Sequence, residues 1–168
     1  MKNLRNVFAA TLFIVSSFYA QAQSKVAHIN TQELVESMPE MMSAKSELEK
    51  LANTYEIDIQ AMATELQNKI KQYDAESSTK TDEENGKRLQ EVQSMEQSIR
   101  QYQGQAQQDL QKKEIELLKP ITEKAKAAIL KVGNDQGFNY VLDSSQGQGV
   151  IMANGKDLLA DVKAELGF

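Results

Sequence analysis

Carboxylates are the most plentiful reactive groups in this 168-residue chain, with 24 Asp and Glu against 19 Lys and Arg. Glu47, Glu49, Asp58, Glu65, Glu83, Glu84, Glu114 and Glu116 recur beside Lys and Gln in stretches that read as helix. General acid–base chemistry needs carboxylates held in a dry pocket with environments that push their pKa values apart. Acids interleaved with lysines and glutamines make a solvated helix face instead. His28 is the single histidine, so no multi-histidine metal centre can form. Its position in a short strand-like run gives it a structural or interface role rather than a catalytic one. The chain has no Cys, which excludes disulfides, thiolate metal sites and a cysteine nucleophile. Gly147 and Gly149 lie in a strand–turn–strand setting, not at the strand-to-helix turn of a nucleotide-binding fingerprint. No enzymatic activity, cofactor or metal is expected. A formal charge of −5 argues against nucleic acid as a partner.

The chain opens like a secretory leader. Lys2 and Arg5 precede an apolar run from Val7 to Tyr19, and Ala20-Gln21-Ala22 supplies the small residues a signal peptidase reads. The run is shorter than the ~20 residues a bilayer requires. Residues 1–22 are therefore expected to be a cleaved signal peptide. Removing Lys2 and Arg5 takes the formal charge from −5 to −7.

The remainder reads as one α+β unit. Lys25–Asn30 is a short strand with Val26, His28 and Asn30 on one face and Ala27 and Ile29 on the other. Asn30 and Glu33 form a capping box for a helix over 31–37. Pro39 suits the first turn of the next helix, expected over 40–73. Its apolar positions, from Met41 through Leu48, Tyr55, Met62 and Ile70 to Tyr73, step at a mean of about 3.6 residues. A polar break, Ser77–Asp82, follows, with Asp82 as the cap of a second helix over 83–131. Pro120 is expected to bend that helix. Phe138–Asp143 and Gly149–Met152 read as two strands of a hairpin, and 157–166 as a terminal amphipathic helix.

Pairing the late strands with the first folds everything between into a long antiparallel helical hairpin. The expected architecture is a small β body, 23–39 and 115–168, carrying a helical arm, 40–114. Three short strands bury too little apolar area to stand alone comfortably, so oligomerisation through the body is expected. Its surface would use Val26, Ile29, Phe138, Tyr140, Val141, Leu142, Val150 and Ile151.

The arm is thinly apolar for its length. Between Arg88 and Lys113 about seven of 26 residues are apolar and nine are Gln. A self-sufficient coiled coil is one reading. A flexible arm with a partly exposed stripe that contacts a partner is the other, supported by Tyr55, Tyr73, Tyr102, Met62 and Met95. Candidate contact residues are Tyr55, Ile59, Met62, Leu66, Ile70, Leu89, Met95, Ile99 and Tyr102.

The order of these features resembles the Skp/OmpH family of periplasmic chaperones. The resemblance rests on the leader, on Lys25-Val-Ala-His-Ile-Asn-Thr-Gln-Glu-Leu34, on Gly137-Phe-Asn-Tyr-Val-Leu-Asp143 and on Asp157-Leu-Leu-Ala-Asp-Val162. It covers essentially the whole mature chain. It implies a homotrimer whose strands form a common body with three arms around a cavity. It also implies an ATP-independent holdase that keeps unfolded outer-membrane proteins soluble in the periplasm. Lipopolysaccharide or a membrane surface is a further partner class, against which the charge of −7 works electrostatically. A structural coiled-coil spacer or tether of the envelope is the alternative.

Overall fold

A computed structural model describes residues 24–168. The expected leader lies outside the described residues. Strand β1 is Val26–Ile29, followed by helix α1, Thr31–Ser37, and helix α2, Pro39–Glu76. A 3-10 turn, Ser77–Thr79, leads into helix α3, Asp82–Asp135, a continuous 54-residue element that runs through Pro120. Strands β2, Tyr140–Asp143, and β3, Lys156–Asp157, precede the terminal helix α4, Leu159–Leu166. The fold is α+β, as expected.

The caps account for the ends. Asn30 Oδ1 accepts the Glu33 N–H at 3.0 Å, which starts α1. Pro39 sits in the first turn of α2. The cap of α3 is Thr81, not Asp82: Thr81 Oγ1 accepts from Glu84 N–H at 3.2 Å, while Glu84 Oε2 accepts from Thr81 N–H at 3.0 Å. Asp82 is instead the first helical residue, where its charge suits the helix dipole. At the far end of α3, Gly137 adopts φ 71°; its N–H reaches Asn134 O and the Phe138 N–H reaches Gly133 O. That is the Schellman closure, which a left-handed residue makes possible.

The sheet differs from the expected hairpin. Its order is β2–β1–β3, and both neighbours run parallel to β1. Gly149–Met152 forms no strand. The third strand is the polar pair Lys156–Asp157, which takes the other edge of β1 opposite Ala27 and His28. Residues 144–155 therefore carry the chain across from one edge of β1 to the other, a span that a two-residue hairpin turn cannot make. Ile151, read as a strand residue, is fully exposed there. The terminal helix begins two residues later than expected, because Asp157 stays in β3 and its carboxylate accepts the Leu159 N–H at 2.9 Å.

The described chain divides into two compact units. One contains residues up to Leu34 together with Lys124–Phe168; the other is Val35–Glu123. In the first, the buried side chains are Ala27, Ile29, Leu34, Ala125, Ala128, Val132, Leu158 and Val162. Gly133 of α3 lies against β2 so closely that a Cβ there would stand 3.0 Å from Val141 Cγ2. In the second unit the buried hydrophobics are Met38, Ala44, Ala106 and Ile121.

Candidate functional site

The unit Val35–Glu123 is an antiparallel pair of helices with an incompletely buried seam. Between Ala44 and Ile121, Ala106 is the single hydrophobic side chain that is fully buried. The apolar stripe read from the sequence does lie at the seam, since Leu48, Leu51, Tyr55, Ile59, Met62, Leu66, Ile70 and Tyr73 are all half-buried. Polar pairs bridge the seam at intervals. Lys113 binds Glu47, Tyr55 donates to Asp109 at 2.9 Å, Tyr102 donates to Asp58 at 2.7 Å, and Lys69 pairs with Glu91. Nearest the turn, Arg88 pairs with Glu76. The pairing moves steadily inward along both helices, which fixes one register.

These contacts set the electrostatics. The hydrogen bond to Asp58 pushes the Tyr102 phenol up to about 12, and that to Asp109 raises Tyr55. Lys69 and Tyr73 both donate to Glu91 and hold its carboxyl below the ordinary range. Gln72 and Arg88 do the same for Glu76. All these acids serve structural hydrogen bonds. None sits in a dry pocket.

Of the nine candidate contact residues, Tyr55 and Tyr102 face each other, with ring centroids 5.7 Å apart and planes at 64°. Met62, Met95 and Ile99 line one groove of about 410 Å³, with Lys69 and Glu91 on its rim. Ile70 and Leu89 line a second, of about 300 Å³, with Tyr73 and Val92. Ile59 and Leu66 are half-buried on the seam, and Leu89 is 59% exposed. Sequence reasoning passed over Ile57, which is 58% exposed and borders a shallow surface of Gln60, Ala61, Thr64, Asn68 and Gln72. Its signal was an aliphatic residue two positions off the stripe. Met42 and Ile115 are also exposed.

In the other unit the outer sheet face is apolar. The parallel register sets Val26 beside Tyr140 and His28 beside Leu142, and Val26, Tyr140 and Leu142 are exposed, as are Ile151 and Met152. Val141, Phe138 and Val150 are half-buried, while Ile29 is buried within the chain. Parallel strands ordinarily have both faces covered. A polar knot ties β2 to α1: Asp143 accepts from Thr31 Oγ1 at 2.6 Å and from the N–H and hydroxyl of the buried Ser145. Burial pushes the Asp143 carboxyl up, but the bonds from Ser145 and Thr31 outweigh it and hold it low.

Among the described residues no group of three or more His, Cys, Asp or Glu could hold a metal ion. No described helix is long and apolar enough to cross a membrane. The described chain combines a small parallel sheet in one unit with a pair of long helices, grooved along their seam, in the other. The sequence profile of the family described as "Outer membrane protein (OmpH-like)" matches residues 25–166, and the chain belongs to that family. Its members are chaperones, not enzymes. The chain is 24% identical over 151 residues to the chaperone protein Skp of Pectobacterium atrosepticum, covering 90% of each chain. It is 26% identical over 145 residues to that of Photorhabdus laumondii, covering 86% of this chain and 88% of the relative. The crystal structure of an OmpH-like protein from Caulobacter crescentus matches its fold with a TM-score of 0.78 at 19% identity, over 88% of this chain and 86% of that one.

Proposed function

We propose that this protein is a periplasmic holdase that binds unfolded outer-membrane proteins without ATP and keeps them soluble for assembly. The carrying observation is the open seam of the arm. Two helices of 38 and 54 residues bury little of their stripe, and Met62, Met95, Ile99, Ile70 and Leu89 remain accessible in grooves. Apolar surface removed from water is worth ~25 cal/mol per Å², and several shallow grooves can share one unfolded chain without imposing a conformation. Multivalency then multiplies modest affinities. Met and aromatic side chains adapt to varied partners. The Gln-rich faces beside the seam keep a loaded complex soluble without adding a fixed charge.

The reading includes assembly as a homotrimer through the sheet. The exposed Val26, Tyr140 and Leu142 form an apolar face that a second and third copy would cover, and the outer edges of β2 and β3 take no further strand among the described residues. The leader expected at residues 1–22 supports export to the periplasm.

The test is suppression of aggregation. An unfolded outer-membrane β-barrel protein is diluted from denaturant with and without the protein, at low and high salt. Holding is expected to persist at high salt, because contacts through apolar grooves are not screened, and to weaken when Met95 or Leu89 is truncated to Ala. Loss of holding in high salt, with every apolar truncation silent, would mean capture by charge. Failure to hold at any salt would leave a spacer or tether.

A further inference from the structure

Asn-Gly occurs twice in the chain, as Asn85-Gly86 and Asn154-Gly155, and the fold treats the two pairs in opposite ways. In this dipeptide the glycine has no Cβ to keep its backbone nitrogen away from the Asn side-chain carbonyl, so the two can meet and react. Asn85-Gly86 lies in the first turns of α3. The Asn85 side-chain amide donates to Ser77 O at 3.0 Å, and its backbone N–H donates to Thr81 O at 2.9 Å. The helical ladder commits the Gly86 N–H to the carbonyl four residues back. Asn154-Gly155 lies outside every helix and strand, at the end of the 144–155 crossing, and both residues are exposed. Among the described residues no partner holds the Asn154 side chain or the Gly155 N–H.

We propose that Asn154 is a site of spontaneous deamidation that loosens β3, while its helix protects Asn85. The Gly155 nitrogen gives its proton to water and attacks Asn154 Cγ. The new C–N bond closes a five-membered imide as the Cγ–Nδ2 bond breaks, and Nδ2 leaves as ammonia with a proton returned from water. A water molecule then opens the ring at either carbonyl. One opening gives aspartate and a new negative charge. The other gives isoaspartate, whose main chain runs through Cβ and is one atom longer. That extra atom falls just before β3, which is only Lys156–Asp157 set against Ala27 and His28. The next residue, Leu158, is fully buried, and its N–H bonds His28 O at 3.0 Å. So short a strand has little length over which to absorb the shift, and the Leu158 bond and packing take it up. Aspartate leaves the main chain unchanged. The inference is independent of what the arm binds.

The experiment ages the full processed chain in warm, mildly alkaline buffer, which favours the deprotonated amide nitrogen. Trypsin releases fragments 81–87 and 132–156, each with its Asn-Gly pair, and fragmentation in the mass spectrometer places each gain of one mass unit. Asn154 is expected to convert, with isoaspartate detected by enzymatic methylation. Asn85 should convert at least about tenfold more slowly, since its cyclisation waits for the helix to open locally. In denaturant the two sites should convert alike. Gly155→Ala should slow conversion about tenfold by restricting the backbone. Gly155 has no positive φ and an added Cβ would stand 3.6 Å from Val26 O, an ordinary contact, so this variant should keep the wild-type melting temperature. The separated isoaspartate form should melt lower than fresh protein and exchange its Leu158 amide hydrogen faster. Asn154→Asp, which adds the charge alone, should keep both properties. No conversion at Asn154, or equal conversion of Asn85 in the folded chain, would overturn the site. An isoaspartate form with unchanged Leu158 protection would overturn its effect on β3.

Discussion

Tyr55 of α2 and Tyr102 of α3 meet edge to face, and each donates its hydroxyl to a carboxylate on the opposite helix, Asp109 and Asp58 respectively. The pair is a reciprocal latch. Sliding one helix by a turn would break the ring contact and both hydrogen bonds together, so a seam with little buried apolar area still has one register. A neutral phenol is the form that donates, and both pKa values are raised, that of Tyr102 to about 12. A raised folded pKa means the stabilisation is whole below pH 10 and disappears as pH climbs through the folded value. Thermal melts of the wild type should therefore decline between pH 10 and 12, in step with phenolate absorbance. Tyr55→Phe with Tyr102→Phe should melt lower at neutral pH and flatten that alkaline decline. An equal decline in the double variant would show that these phenols do not carry it.

Two glycines in the same helix should respond to alanine in opposite ways. Gly104 is exposed and a Cβ there meets nothing within 4 Å, so Gly104→Ala removes backbone freedom at no steric cost and should stabilise by about 0.5–1 kcal/mol. Gly133→Ala places its Cβ 3.0 Å from Val141 Cγ2 and should destabilise by about 1–3 kcal/mol through overpacking. Adding Val141→Ala should recover part of that loss. Denaturant melts of the three variants check the contrast, and stabilisation by Gly133→Ala would show that the approach of α3 to β2 is looser than described.

Helices were the most legible part of the sequence, because a stripe such as Leu48, Tyr55, Met62 and Ile70 repeats over many turns and each repeat reinforces the last. The sheet was not. Val150-Ile-Met152 carries the apolar character of a strand, yet β1 pairs instead with Lys156–Asp157, two polar residues with no pattern to read. Four-residue strands are decided by what lies beside them, and that is set over more than a hundred residues of separation. Thr81-Asp-Glu-Glu84 did carry the capping-box signature, but Asp82 has the stronger propensity as a lone cap and drew the reading one residue too far. The candidate contact residues were read as a stripe; which of them meet across the seam, as Tyr55 and Tyr102 do, depends on register and was not in the pattern.

Asp143 should couple the body's stability to acid. Its carboxylate takes bonds from Thr31 and Ser145 and its pKa is held low. A depressed folded pKa gives stabilisation that is complete above the ordinary carboxylate value, about 4, and is lost as pH falls through the folded value. Asp143→Ala should cost about 1–3 kcal/mol at neutral pH and leave a shallower acid dependence than the wild type. Urea melts from pH 7 down to pH 3 test this; parallel curves for the two proteins would assign the acid sensitivity to other groups.

Exchange along α3 should divide one helix into two regimes. From Arg88 to Leu110 its seam side chains are half-buried or exposed apart from Ala106, whereas Ile121, Ala125, Ala128 and Val132 are all buried. Local opening is cheapest where few buried contacts are lost. Amide hydrogens of residues 90–110 should exchange faster than those of residues 121–132, measured on the same chain at the same pH. Uniform protection along the helix would mean the seam is as firm as the packed end, and an adaptable arm would lose its physical basis.

The outer sheet face offers a decisive test of assembly because its two sides differ in burial. Tyr140 and Leu142 are 60% and 45% exposed on β2, while Ile29, one strand over, is 1% exposed within its own chain. A charge placed at an exposed position costs a lone subunit little, since water still reaches it. Sealed into an interface between copies, the same unpaired charge costs several kcal/mol. Tyr140→Asp should therefore keep its helix content and sediment as a monomer, where the wild type is expected to sediment as about three chains. Ile29→Ala should act differently, lowering stability by about 2–5 kcal/mol through a cavity in the subunit core. Sedimentation at micromolar concentration, paired with circular dichroism, separates the two outcomes. A Tyr140→Asp protein that still sediments as a trimer would remove this face from the interface, and a wild type that sediments as a stable monomer would remove the trimer.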